Sequence, residues 1–286
     1  MNQPQKEISS LLDYSHEVTG LDQFILYGGT PLDLMIHGSY HDIDLATQGK
    51  SEEWITALNK QFSAKGFDVI QPRRPYQIRN GSVEVILVYA KNDANFFDVC
   101  FMEDLSLIGL FDIESSYWKY PKKEHVDQYN ALEALASKCI RPIRSFESEN
   151  PLLWFSRFVR LCSKYNFQMT NTSHAPIIDA INSRVGYDEQ TVSSPQYSSA
   201  VSSVFSAILR AKDRQKFSSE LIETGLIRKL LPELDKFLSR TNEDVLIRIR
   251  NREEFCGILR ENLSPEERVD LDKKLQELSY RSWENE

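Results

Sequence analysis

Apolar positions along this 286-residue chain change their period part-way through it. After a polar opening over residues 1–22, read as a helical lead-in, Phe24-Ile25-Leu26-Tyr27 is a short apolar run that stops at Gly28-Gly29. Such a run, bounded by turn residues, predicts a buried strand. Pro31 suits the first turn of a helix through Leu34-Met35-Ile36, and Gly38 suits its end. Asp42-Ile43-Asp44-Leu45-Ala46-Thr47 alternates as a second strand. Ser51 is placed to cap a helix over residues 52–64 that Gly66 would close. Asp68-Val69-Ile70 begins a third strand, and Gln77-Ile78-Arg79 and the run over residues 83–88 flank Asn80-Gly81, a hairpin signal. Asn95-Phe96-Phe97-Asp98-Val99-Cys100-Phe101 predicts a further strand, and the strand-rich part is expected to end near residue 102. Beyond residue 127 the helical period takes over, over residues 127–137 and 151–165, with polar breaks at 170–174 and 193–196 and further helices to residue 240. Ser264-Pro265-Glu266-Glu267 opens a last helix with a capping signature. The expected fold class is α+β: a small mixed β-sheet head over residues 1–147, then an all-helical domain over residues 148–286.

Composition narrows the classes. A hydrophobic share of 41% with 27% charged residues places the chain among soluble globular proteins. No apolar run approaches the roughly 20 residues that span a bilayer, and the first residues lack the plan of a signal peptide. A cytoplasmic protein with no membrane partner is expected. Cys100, Cys139, Cys162 and Cys256 form no C-x-x-C pair, so buried free thiols are expected. A net charge of −8 opposes electrostatic binding of nucleic acid over the whole surface. It leaves room for a local basic groove, for which Arg73, Arg74 and Arg79, or Arg141 and Arg144, are candidates.

The chemistry concentrates at Gly28-Gly29-Thr30 and Asp42-Ile43-Asp44. Strand alternation sends Asp42 and Asp44 to one face, where two carboxylates repel unless a hard divalent cation lies between them. Paired glycines let a backbone approach a phosphate with no Cβ in the way. Asp98, on a strand expected beside Asp42-Ile43-Asp44, would add a third carboxylate, and Glu84 is a weaker rival for that place. Three carboxylates from two strands would bind two divalent ions, the arrangement that steadies the attacking and leaving oxygens of an in-line displacement. His37 and His41 have H-x-x-x-H spacing, but Gly38 between them argues against the continuous helix a shared metal would need, and His41 is kept as a phosphate contact. There is no G-x-G-x-x-G, Walker A or G-x-S-x-G sequence.

These residues resemble the nucleotidyltransferase superfamily, with its polymerase-β-like head, and more narrowly the class II tRNA nucleotidyltransferases: CCA-adding enzymes and bacterial poly(A) polymerases. The resemblance runs from about residue 24 to 240. Gly28-Gly29-Thr30-Pro31-Leu32-Asp33 matches part of the family's G-G-x-V-R-D, and Leu34-Met35-Ile36-His37-Gly38 with Asp42-Ile43-Asp44 is similar to its L-L-G…D-x-D. Glu149-Asn150-Pro151-Leu152 and Arg160-Leu161 fall near its E-D-P-L-R and R-F. Ile222-Glu223-Thr224-Gly225-Leu226-Ile227 with Leu230-Leu231-Pro232-Glu233-Leu234 resembles its helical ExGLLxxLLPEL segment.

The resemblance implies that Asp42, Asp44 and Asp98 hold Mg²⁺ (or Mn²⁺) and carry catalysis. It implies that Gly28, Gly29, Thr30, Arg157 and Arg160 meet a nucleoside triphosphate. The acceptor would be an RNA end, tRNA-like, with pyrophosphate released. The chain departs from the family pattern where arginines are expected: it has Leu32, Ser39 and Leu153 there, Met102-Glu103-Asp104 in place of R-R-D, and Asn150 at an aspartate position. Two alternatives stay open, a catalytically reduced homologue that binds RNA or protein and a nucleotidyltransferase toxin of a bacterial defence system, a group that shares a GGTxL…DIDL signature.

Overall fold

A computed structural model describes residues 3–49, 51–70, 76–78, 83–85, 87–91, 96–102, 109–148, 150–185, 195–241 and 243–272. The chain divides into two compact units, Met1–Ala136 and Ser137–Glu286. The first carries α1 (Gln3–Thr19), β1 (Phe24–Leu26), α2 (Gly29–His37), β2 (Ile43–Gln48), α3 (Ser51–Ala64), β3 (Asp68–Ile70), β4 (Tyr76–Ile78), β5 (Val83–Val85), β6 (Leu87–Lys91), β7 (Phe96–Met102), β8 (Tyr117–Tyr120), β9 (Glu124–Val126) and nearly all of α4 (Ala131–Ser137). Among the described residues, seven strands form one sheet in the order β3-β6-β7-β2-β1-β8-β9, and β4 and β5 pair separately. The ladder of β2 with β7 is parallel and the other described ladders are antiparallel.

Alternation along these strands builds the core. Ile43 and Leu45 of β2, Phe97, Val99 and Phe101 of β7, and Phe24 and Leu26 of β1 join one buried cluster. Ile8, Leu11, Leu12 and Val18 of α1 and Leu58 and Phe62 of α3 belong to it as well. The opening segment is therefore an amphipathic helix with a buried stripe at helical spacing rather than a polar lead-in. Each fully buried Leu, Ile or Phe contributes roughly 1.5–3 kcal/mol. What matters for chemistry is the residues in between: with the odd-numbered positions of β2 and β7 committed to the core, Asp44 and Asp98 are turned to the opposite face.

Three expectations shift on the structure. The strand run over residues 83–88 is two strands, β5 hairpinned on β4 and β6 in the main sheet. The sheet does not end near residue 102, because β8 and β9 extend it beyond β1. The helix expected from residue 127 starts at Ala131, since the Asp127 carboxylate caps it, accepting Ala131 N–H (2.6 Å) and Leu132 N–H (3.2 Å).

The second unit is helical. Asn150 caps α5 (Pro151–Tyr165) by accepting Leu152 N–H at 2.8 Å, and Asn166, with φ 54°, closes it. There follow α6 (Ala175–Arg184), α7 (Pro195–Arg210), α8 (Arg214–Glu223), α9 (Leu226–Leu230), α10 (Pro232–Arg240), α11 (Glu243–Arg248) and α12 (Arg252–Glu261). Residues 265–272 are also helical, and Ser264 and Glu267 exchange the two hydrogen bonds of the expected capping box, 3.0 and 3.3 Å. Helices α5 and α7 pack side by side, tied by Ser156 to Ser203 (2.6 Å) and by the Ser163 hydroxyl donating to the Ala207 carbonyl (2.6 Å). The α+β plan expected from the sequence, a mixed-sheet head and a helical body, is the one observed.

Candidate active site

β1 runs out at Tyr27, and the chain turns through Gly28 at φ 68°, ψ −136° into the first turn of α2. Only glycine adopts that backbone readily. A Cβ on Gly28 would meet Asp44 Oδ2 at 2.4 Å, so the missing side chain is the space in which the carboxylate lies. Gly29 N–H, at the helix start, donates to the same Oδ2 at 3.2 Å, a favourable place for negative charge because the first turn leaves N–H groups free. Gly38, left-handed at φ 66°, ends α2, its N–H returning to the Leu34 carbonyl (3.1 Å).

The Thr30 side chain is 0% exposed. Its hydroxyl donates to the Asp42 carbonyl oxygen (3.0 Å) and accepts Asp44 N–H (3.1 Å). Tyr27 N–H donates to the Asp44 carbonyl oxygen (3.0 Å). The entry of β2 is thereby fastened to both ends of the glycine turn.

In the parallel β2–β7 ladder Asp44 stands opposite Asp98. Asp42 lies just before β2, half-buried. Among the described residues no group of three His, Cys, Asp or Glu side chains is gathered closely enough to hold a metal ion. The pair formed by Asp44 and Asp98 nevertheless has the chemistry of a hard-cation site: two oxygen donors facing each other on neighbouring strands, with the Gly28 cradle beside them. Mg²⁺ or Mn²⁺ suits such donors.

Two neighbours escaped the sequence reading. Cys100 follows Asp98 by two residues on β7, so alternation puts it on the same face, and it is hydrogen-bonded to Tyr27. Burial pushes the Cys100 thiol up to about 12, against the pull of the Tyr27 hydrogen bond and with help from Asp98 and Asp44. Burial likewise raises the Tyr27 phenol well above its ordinary value, with Cys100, Asp44 and Asp98 adding to the effect. Both groups are neutral at physiological pH, and the carboxylates sit beside a wall that adds no charge. The period of two that exposes Cys100 as a neighbour was visible in the sequence; Tyr27 needed the β1–β2 pairing.

Glu84 is opposite Gln77 in the separate two-stranded sheet. His37 and His41 are exposed on either side of Gly38. Asp33 is buried within α2. Arg157 and Arg160 are exposed positions of α5, in the second unit. Arg141 is exposed and Arg144 half-buried, whereas Arg73, Arg74 and Arg79 lie outside the described residues. At the positions where arginines are expected, Leu32 and Met102 are buried, Ser39 and Leu153 are exposed, and Glu103 lies outside the described residues. Cys100, Cys162 and Cys256 are buried free thiols and Cys139 is half-buried.

Solved structures share this fold. The Thermotoga maritima CCA-adding enzyme complexed with tRNA aligns with 98% of this chain and 67% of its own, with a TM-score of 0.62 and 17% identity. The fold is that of CCA-adding enzymes. A tRNA-processing enzyme in an apo form aligns over 99% of this chain and 76% of its own (TM-score 0.61, 16% identity). The Bacillus stearothermophilus CCA-adding enzyme in complex with CTP aligns over 94% and 66% (TM-score 0.57, 15% identity). The chain spans about two thirds of the length of the two CCA-adding enzymes. No protein-family model and no curated protein matches the sequence. Among the described residues, no helix is long and apolar enough to cross a membrane.

Proposed function

We propose that this chain is a metal-dependent nucleotidyltransferase that moves a nucleotide from a nucleoside triphosphate to an acceptor hydroxyl, an RNA 3′ end, with release of pyrophosphate. The observation that carries the reading is the facing of Asp44 and Asp98 on the parallel β2–β7 ladder beside the Gly28 cradle. The fold shared with CCA-adding enzymes, solved with tRNA and with CTP, supports the choice of substrate class.

Asp44 and Asp98, with Asp42, would hold Mg²⁺ or Mn²⁺. Bound there, the ions supply charge neutralisation at the triphosphate and lower the pKa of the acceptor hydroxyl, so that no separate protein base is required. The chain's own part is positional. The backbone at Gly28 and Gly29 admits a triphosphate with no Cβ in the way. Gly29 N–H donates to Asp44 here, and would be available to a phosphate if that carboxylate held an ion instead. Neutral Tyr27 and Cys100 keep water from one side of the carboxylates without competing as ligands. Arg157 and Arg160 are assigned to the nucleotide or the RNA end.

The test is transfer by purified protein, with each labelled nucleoside triphosphate, Mg²⁺ or Mn²⁺, and total cellular RNA. Label in a discrete RNA band, absent from the Asp42→Ala/Asp44→Ala protein, is expected. A second reading, a reduced homologue that binds without turnover, draws on Asn150 and Leu32, which stand at charged positions of the family pattern and serve here as a helix cap and as core. Absence of transfer to any acceptor would select it, label on protein or a small molecule would move the acceptor, and toxicity on expression that Asp42→Ala removes would select the toxin alternative.

A further inference from the structure

We propose that Thr30 is a positioning residue for the carboxylates and not a nucleotide contact. This rests on the nucleotidyltransferase reading above and assigns one residue within that site a different part. Thr30 belongs to the glycine-rich opening, so its hydroxyl would ordinarily be given to a phosphate. The geometry points elsewhere. The side chain is 0% exposed, and its hydroxyl is committed in both directions, donating to the Asp42 carbonyl (3.0 Å) and accepting Asp44 N–H (3.1 Å). A hydroxyl has one proton to give, and here it goes to the strand.

The consequence is mechanical. Asp42 and Asp44 enclose Ile43, which is buried in the core, and Thr30 grips the backbone on both sides of it. The hydroxyl therefore sets where the strand starts relative to the turn of α2, and with it where two successive carboxylates leave the backbone. Partners of this kind, one step removed from the ligands, change metal affinity or activity by about 10- to 100-fold when they are lost. Valine keeps the branched shape and removes both hydrogen bonds; serine keeps the hydroxyl and removes the methyl.

The experiment is Mn²⁺ binding to the full chain by calorimetry, beside nucleotide transfer kinetics, for wild type, Thr30→Val, Thr30→Ser and Asp44→Ala. The account expects Thr30→Val to bind Mn²⁺ about 10- to 100-fold more weakly, with kcat lowered and KM for the nucleotide unchanged, and expects Thr30→Ser to bind as wild type does. A raised nucleotide KM in Thr30→Val with wild-type Mn²⁺ affinity would make Thr30 a phosphate contact and overturn the proposal. Should Thr30→Val not fold, Thr30→Ser decides alone: retained Mn²⁺ binding supports the hydroxyl's role, and a loss like that of Asp44→Ala overturns it. Wild type that binds Mn²⁺ through Asp44 yet transfers nothing defeats the reaction while leaving the Thr30 result readable. Wild type that binds no Mn²⁺ overturns both.

Discussion

In the first unit the buried hydroxyl of Thr30 and the backbone groups of Tyr27 and Gly29 all act on one short stretch, the entry of β2. In the second unit the buried and half-buried polar groups are dispersed. His174 accepts Ile140 N–H at Nε2 (3.0 Å), which leaves Nδ1 to donate to the Gln168 carbonyl (2.9 Å). Glu220 accepts Met169 N–H (2.8 Å). Arg214 donates to the carbonyls of Leu246, Ile249 and Leu209, at 2.7, 2.6 and 2.9 Å. Each of these satisfies loop backbone or a helix end that would otherwise be left unpaired away from water. The difference separates two uses of buried polarity: convergent bonds that aim side chains at a reacting centre, and scattered bonds that hold helices together. Candidate ligand groups of the second unit, Arg157 and Arg160, are on its surface instead.

The sharpest break of that comparison lies between neighbours on β7. Asp98→Asn should lower transfer on the order of 10³-fold, the scale on which charge-handling groups act in phosphoryl transfer, with an unchanged melting curve. Phe97→Ala, one residue away but facing the core, should cost about 3–5 kcal/mol of stability in denaturant titrations and leave the kcat of the remaining folded protein near wild type. If the two variants exchanged phenotypes, the assignment of faces would be wrong. Next in size is Gly28→Ala. The positive φ and the clash of the added Cβ with the Asp44 carboxylate should cost about 1–3 kcal/mol and displace the carboxylate, so activity should fall further than stability does.

Acid sharpens the other side. Burial lowers the His174 pKa from its ordinary value of 6.5, against the opposing pull of the Gln168 and Met169 backbone. The unfolded chain therefore takes up a proton near pH 6.5 while the folded one still excludes it. The stability contributed by neutral His174 is complete above that pH and is lost as pH falls through the folded value. Thermal unfolding between pH 7.5 and 5 should show this decline, and His174→Gln should flatten it. His125, also lowered by burial, leaves a residual slope. The smallest effect belongs to the surface: Arg157→Ala and Arg160→Ala should each weaken nucleotide or RNA binding by about 1 kcal/mol or less, as exposed charges do, measured by titration at two salt concentrations.

The parts of this molecule legible in the sequence are the local ones. Gly28 in a turn, Gly38 ending a helix and the capping box at Ser264 each follow from conformations that few residues adopt. The shared face of Asp44 and Asp98 was legible once both strands were, because Ile43, Leu45, Phe97 and Val99 fix the inward side. Strands β8 and β9 were not legible, since Tyr117-Trp118-Lys119-Tyr120 does not alternate cleanly and its partner, β1, lies about 90 residues earlier. The split of residues 83–88 between two sheets was likewise a matter of pairing, not propensity. Thr30 read as a nucleotide contact and His174 carried no signal, because the bonds each makes in the fold are to backbone groups distant in sequence.

The central claim is that Asp44 and Asp98 act together on a divalent cation. Mn²⁺ titration of the full chain in the presence of a nucleoside triphosphate, followed by electron paramagnetic resonance, compares wild type with the isosteric Asp44→Asn and Asp98→Asn. The account predicts saturable binding in wild type that either substitution removes while the melting curve stays in place. Undiminished Mn²⁺ binding in Asp98→Asn would contradict it.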